Sequence, residues 1–112
     1  MELISAIVRP FKVAGVCDAL QSFGFQGLTV LEASGFGKQR GHTEIYRGAE
    51  YPSDFQQNSK IEIVAKEEDV RDIVDVICKV ASTGQFGDGK IWITPVHDVI
   101  RIRTKEVGED AL

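Results

Sequence analysis

"SKIEIVAKEEDVRDIVDVICKV" (residues 59–80) changes its apolar rhythm part-way along. In "KIEIVA", Lys60 and Glu62 alternate with Ile61 and Ile63, the period of a strand with one buried face. From residue 67 onward the apolar residues fall at Val70, Ile73, Val74, Ile77 and Val80, which is one face of a helix. Glu67, Glu68 and Asp69 occupy its first turn, where negative charge complements the helix dipole. A strand over 60–65 followed by a helix over 67–84 is the expectation.

Toward the N-terminus, "GLTVLEASGF" (27–36) has strand composition between glycines. Before it, Val13, Val16, Cys17, Leu20 and Phe23 share one helical face over 12–24, and Gly24 suits the position just past the helix end. "ELISAIVRP" (2–10) is an aliphatic run halted by proline, a buried strand that stops near Arg9. Toward the C-terminus, "GDGK" leads into the strand "IWITPV" (91–96), and "VIRIRT" (99–104) alternates Ile100 and Ile102 with Arg101 and Arg103. The last residues, "KEVGEDAL" (105–112), read as frayed or partner-bound.

The resulting order is strand, helix, strand, long loop, strand, helix, strand. It predicts an α+β, ferredoxin-like βαββαβ sandwich, an antiparallel sheet with both helices on one face, as a single domain over 1–112. Apolar Ile4, Ala6 and Val8 on strand one are expected to point away from the helices, which leaves a second apolar sheet face for a homo-oligomer to bury.

Composition narrows the functional classes. The 112 residues are 43% hydrophobic and 27% charged, as in an ordinary globular domain without global disorder or membrane character. A net charge of -4 argues against bulk nucleic-acid binding, although Lys38, Arg40 and Arg47 form one basic segment. Apolar "LISAIV" is too short for a secretion signal and has Glu2 in place of a basic start, so a cytoplasmic protein is expected. Cys17 and Cys78 are far apart and read as small buried thiols rather than redox or metal groups.

Chemistry concentrates in three places. "TGQFGDGK" (83–90) sets Gly84, Gly87 and Gly89 beside Lys90; glycines let backbone amides approach an anion and the lysine adds charge, though a plain turn fits the pattern as well. Arg101 and Arg103 on an acidic chain call for an anionic ligand or for salt bridges to the tail acids. "GKQRGHTEIYRGAEY" (37–51) follows neither a helical nor a strand-like apolar rhythm, and so long a loop in so small a domain either has a function or marks a wrong element assignment. Its Tyr46 and Tyr51 suit covalent modification or insertion into a partner, the alternative being rings that pack back on the sheet. His42 and His97 are isolated, and no nucleophile with a base and no carboxylate pair marks an enzyme.

Taken together, "IVRPFK", "GFGKQRGHTEIYRGAEY", "KIEIV", "TGQFGDGKIW" and "VIRIRT" resemble the PII family of nitrogen-regulatory signal-transduction proteins along nearly the whole chain. The resemblance implies a homotrimer that binds ATP or ADP in clefts between subunits and presents a flexible T-loop, here about 37–55, to target proteins. It implies an adenine site near Thr29, Glu62 and Val64. The phosphates would lie on Gly35, Gly37, Lys38, Gln39 and the turn Gly87, Asp88, Gly89, Lys90 within a glycine-rich segment over 82–90. Arg101 and Arg103, opening a C-terminal segment over 101–112, would reach in from a neighbouring subunit. Gln39 would meet Mg²⁺ bound with ATP and 2-oxoglutarate. Arg47 matches the residue that related proteins insert into an ammonium channel, and Tyr51 the tyrosine that relatives have uridylylated or adenylylated. Implied partners are an ammonium channel or other membrane transporter, where the protein would be peripheral to the membrane, and nitrogen-regulatory enzymes.

Two positions depart from the pattern. Lys38 replaces a frequent arginine, keeping charge without the guanidinium fork. Asn58 replaces the lysine that pairs with the far carboxylate of 2-oxoglutarate, which predicts a weak response to that ligand. Regulation of a different transporter, such as one for carbon uptake, and nucleotide hydrolysis in the same cleft are the alternatives.

Overall fold

A computed structural model describes residues 1–36, 43–46, 49–52 and 55–112, with residues 36, 43–46, 49–52 and 55 described by backbone alone. The main elements are β1 (Glu2–Val8), α1 (Val13–Ser22), β2 (Thr29–Phe36), β3 (Thr43–Tyr46), β4 (Ala49–Pro52), β5 (Phe55–Ala65), α2 (Val70–Ala81) and β6 (Lys90–Pro95). β2, β5, β1 and β6 form one antiparallel sheet in that order, and β3 pairs with β4 in a separate two-stranded ribbon. The small α+β architecture, four antiparallel strands and two helices, is the one the rhythm of residues 59–80 predicts.

Short 3-10 turns at Pro10–Lys12 and Glu67–Asp69 precede the two helices. α1 ends where Gly24, at φ +90°, donates its amide to the Gln21 carbonyl at 2.9 Å. α2 ends because Ser82 is extended. Val16 and Leu20 of α1 and Ile73, Val76, Ile77 and Ala81 of α2 are buried against the sheet. Fully burying an aliphatic side chain of this size contributes about 1.5–3 kcal/mol. The two helices approach closely at Gly15, where an added Cβ would stand 3.2 Å from Val80 Cγ1.

Several expectations change. Ile4, Ala6 and Val8 face the helices, not away from them: each is at most 2% exposed and packs in the core with Ile61 and Ile63. The open face instead carries Leu3, Ser5 and Ile7 of β1, with Lys60, Glu62, Val64 and Trp92 in register beside them. Alternation fixes a period of two but not which set meets the helices when both sets are largely apolar. The strand read as 60–65 runs from Phe55, because the polar residues Gln56, Gln57, Asn58 and Ser59 are held by a ladder to β2 that needs no apolar alternation.

Within 37–55 the described segments are paired strands, Thr43 opposite Pro52 through Tyr46 opposite Ala49, where no strand rhythm was legible. "VIRIRT" is not a strand of the sheet. A single bridge joins Ile100 to Val107, the chain turns through a Lys105 at φ +60°, and Ile102 is 94% exposed. Its alternation fails as a signal because, among the described residues, no partner strand lies alongside. The tail is ordered on this turn, with Gly108 donating its amide to the Val99 carbonyl. Both cysteines are free, but only Cys17 is half-buried, where burial and then Asp18 raise its pKa; Cys78 is exposed and is not the buried thiol expected. Among the described residues no helix is long and apolar enough to cross a membrane.

Candidate functional site

The turn between α2 and β6 is built around one carboxylate. Asp88 Oδ2 accepts the amides of Thr83 (2.8 Å) and Gly84 (3.0 Å), while Oδ1 accepts the Thr83 hydroxyl and Arg9 Nε (3.2 Å). A second arm of Arg9, Nη2, donates to the Phe86 carbonyl at 2.6 Å. These donors hold the Asp88 carboxyl far below the usual carboxylate range, the Thr83 hydroxyl most strongly, then the Thr83 amide, with Arg9 and the Gly84 amide adding to them against the opposing effect of burial.

With the carboxylate turned inward, the amides of Gly87 and Gly89 have no acceptor among the described residues, and that of Asp88 closes the turn at residues 86–87. Gly87 and Gly89 adopt φ of +91° and +96°, a conformation that L side chains rarely take. Gly89 also packs directly on β1: an added Cβ would lie 1.7 Å from the Ile7 carbonyl oxygen. Lys90 follows as the first residue of β6, paired with Ile7, and has no carboxylate partner among the described residues. Unpartnered amides on a glycine turn beside an ammonium group make a receptor for an oxyanion. Beside the turn opens a cavity of about 510 Å³ whose walls include Val74, Ile77 and Ile91.

Thr29, Glu62 and Val64 also come together. Thr29 and Glu62 are direct cross-strand partners on β2 and β5, and Val64 is the next residue of β5 on the same face. This group lies at the β2 side of the sheet and Lys90 at the opposite edge strand. Three strand spacings of about 4.8 Å put those edges roughly 14 Å apart, with Ser5 and Trp92 completing the row that begins at Thr29 and Glu62. Glu62 is engaged by Lys60 Nζ at 2.8 Å, and the same ammonium lies 5.5 Å from the centre of the Trp92 ring. Lys60 is therefore turned toward Glu62 and Trp92 and away from the neighbouring Asn58.

Among the described residues Asn58 makes one long bond, Nδ2 to the Gln56 carbonyl at 3.4 Å, and its buried Oδ1 has no partner. Gly35 lies beside it: a Cβ there would stand 2.9 Å from Asn58 Nδ2. Arg101 is held by its own tail, Nη1 to Glu106 Oε1 at 3.0 Å and Nη2 to the Leu112 carbonyl at 2.9 Å, which is the salt-bridge alternative. Arg103 has no ion pair among the described residues. Gly37, Lys38, Gln39 and Arg47, like His42, lie outside the described residues, and of Tyr51 only the backbone, in β4, is described. His97 is exposed, and among the described residues no group of three His, Cys, Asp or Glu could hold a metal ion.

Two residues escaped the sequence reading. Arg9 is 79 positions from Asp88, and only the fold brings them together. Thr83 stands inside the glycine-rich segment, and the spacing of a hydroxyl five residues before an aspartate was its one local signal.

The sequence profile of the family described as nitrogen regulatory protein P-II matches residues 1–106. The chain belongs to the nitrogen regulatory protein P-II family. It is 52% identical over 112 residues to a nitrogen regulatory protein P-II of Rhizobium meliloti (strain 1021), and equally to one of Azospirillum brasilense, with 100% of both chains covered in each pair. It is 47% identical, again over 100% of both chains, to nitrogen regulatory protein GlnK of Escherichia coli (strain K12). The P-II description and the relatives' names are those of regulators, not enzymes, in agreement with the expectation of a non-enzymatic chain.

Proposed function

We propose that this P-II chain works as a homotrimeric sensor of ATP and ADP that regulates nitrogen-metabolism targets through the loop at about 37–55. The observation that carries the reading is the glycine turn at residues 87–89, with the Gly87 and Gly89 amides unpartnered among the described residues and Lys90 beside them, a ready receptor for a polyphosphate. Thr29, Glu62 and Val64 supply an adenine-sized face at the far side of the same sheet, so a neighbouring copy that sets its β2 side against β6 completes a cleft neither copy forms alone. The open sheet face supports such assembly: its Leu31 and Trp92 are 45% and 39% exposed. Arg103 is free among the described residues to reach a neighbour's phosphates, and Arg101 can do so only by leaving Glu106 and the C-terminal carbonyl.

Within this reading Gly35, Gly37, Lys38 and Gln39 extend the phosphate site, Gln39 meets Mg²⁺, Arg47 enters an ammonium channel, and Tyr51 accepts a nucleotidyl group. The protein is then peripheral to the membrane while its partner is bound. 2-Oxoglutarate adds little, because Asn58 offers an amide in place of an ammonium group. The same asparagine favours the second reading, a nucleotide-dependent regulator of a transporter other than an ammonium channel. Light scattering at micromolar concentration tests the assembly, where a monomer mass overturns it. Calorimetry with ATP and ADP tests the ligand: Lys90→Ala should weaken ATP by tenfold or more, from a charge-assisted contact of about 1.5–3 kcal/mol, and an unchanged affinity places the site elsewhere. Recovery with an ammonium channel, as against another transporter, separates the two readings of the target.

A further inference from the structure

An aspartate between two glycines of a phosphate-binding turn is a liability, since a free carboxylate there repels the phosphates that the turn is to hold. The structure removes the liability by consuming both oxygens inside the turn. We propose that Arg9 and Thr83 are positioning residues of this turn: through the Asp88 carboxylate they hold the amides of Gly87 and Gly89 open to a phosphate, and that carboxylate does not touch the ligand. The ligand in this proposal rests on the nucleotide reading above, whereas the latch rests on the geometry of the chain itself.

Arg9 has the larger part. It follows directly on β1, so its guanidinium is anchored to the sheet rather than to the loop it holds. One arm neutralises Asp88 at 3.2 Å and the other fixes the Phe86 carbonyl at 2.6 Å. No peptide bond among the described residues is cis. In a trans peptide the carbonyl and the next amide point in opposite directions. Holding the Phe86 carbonyl toward Arg9 therefore turns the Gly87 N–H away from Arg9. Thr83 completes the latch from the helix side: its hydroxyl donates to Asp88 Oδ1, and Thr83 Oγ1 in turn accepts the Gln85 amide at 3.3 Å. The contact of Gly89 with Ile7 seats the other end of the turn on the same strand. The two amides are thus held between two fixed points before any ligand arrives, so binding does not have to order them.

The test uses the full-length protein as Arg9→Met, Thr83→Val and Thr83→Ser. Thr83→Val and Thr83→Ser leave net charge unchanged, and they carry the test alone if Arg9→Met does not fold. By loss of preorganisation Arg9→Met and Thr83→Val should each weaken ATP binding about tenfold while changing adenosine binding less than about twofold, and Thr83→Ser should return ATP to within about twofold of the unaltered chain. In nucleotide-free protein the amides of Thr83 and Gly84 should exchange faster in both disrupted variants. Unchanged ATP affinity in Thr83→Val overturns the proposal. So does a Thr83→Ser variant as weak as Thr83→Val, or a parallel fall for adenosine, which would indicate general structural damage. If the unaltered chain binds no nucleotide, the nucleotide reading falls; the latch is then judged by exchange, and unaltered protection at Thr83 and Gly84 in the disrupted variants refutes it.

Discussion

Replacing Gly89 by alanine should damage this protein far more than the same change five residues earlier. Gly84 and Gly89 both have positive φ, +78° and +96°, so each substitution carries the left-handed penalty of an L residue, about 1–2 kcal/mol. At Gly84 nothing lies within 4 Å of the new Cβ, and that penalty is the whole cost. At Gly89 the Cβ would stand 1.7 Å from the Ile7 oxygen and 2.7 Å from its carbonyl carbon, both backbone atoms that no rotamer change can move. Carbon–oxygen contacts settle at about 3.3–3.6 Å, so the turn and β1 must part by about 1.6 Å or more. Ile7 is the register partner of Lys90, and separation there sacrifices at least one ladder bond of about 1 kcal/mol. The lower bound for Gly89→Ala is then about 2–3 kcal/mol, or roughly 10 °C or more in melting temperature for a domain of this size. Urea unfolding of both variants and the unaltered chain at one protein concentration measures the difference without bias from assembly. A Gly89→Ala variant no less stable than Gly84→Ala would refute the close approach on which the turn's placement rests.

Other consequences concern single side chains. Arg103→Ala should weaken ATP binding about tenfold to a hundredfold, the loss of one charge-assisted contact of about 1.5–3 kcal/mol. It should leave the tail as resistant to carboxypeptidase as before, whereas Arg101→Ala, which loses Glu106 and the Leu112 carbonyl, should expose the tail; equal digestion of the two variants counts against this division. The Asp88 carboxyl has a folded-state pKa depressed below its unfolded value, so its contribution to stability is present above about pH 4 and is lost only as pH falls further toward the depressed value. A carbon-13 titration should find Asp88 still ionised where ordinary carboxylates are half-protonated, and a midpoint near about 4 contradicts the latch. Asn58→Lys should strengthen ATP-dependent 2-oxoglutarate binding with Mg²⁺ by very roughly threefold to thirtyfold, the difference between a charge-assisted and a neutral bond. Tight binding by the unaltered chain in the same calorimeter would show that another group fills the lysine's role.

Local pattern determined what local forces control. The switch of rhythm at residues 59–80, the apolar faces of both helices and the glycine past α1 depend on neighbours a few positions away, and each appears in the structure with small shifts of its ends. The glycines of 83–90 likewise marked a turn from composition alone, and Gly84, Gly87 and Gly89 take the positive φ that such a turn needs. Phase and partnership needed the whole fold. Residues 4, 6 and 8 and residues 3, 5 and 7 form two largely apolar sets, and only the packing of α1 and α2 chose the first as core. Ile100 to Arg103 alternate like a strand, yet a strand needs an unpaired edge beside it, and here the chain folds back on residue 107. Asp88 read as a member of the ligand site, but its carboxylate is claimed by Thr83 next to it and by Arg9 from the far end of the sequence. Hydrogen bonds over such separations exist only after the sheet has brought β1 alongside β6, because the chain entropy opposing them is overcome by the burial of the core and not by the bonds themselves.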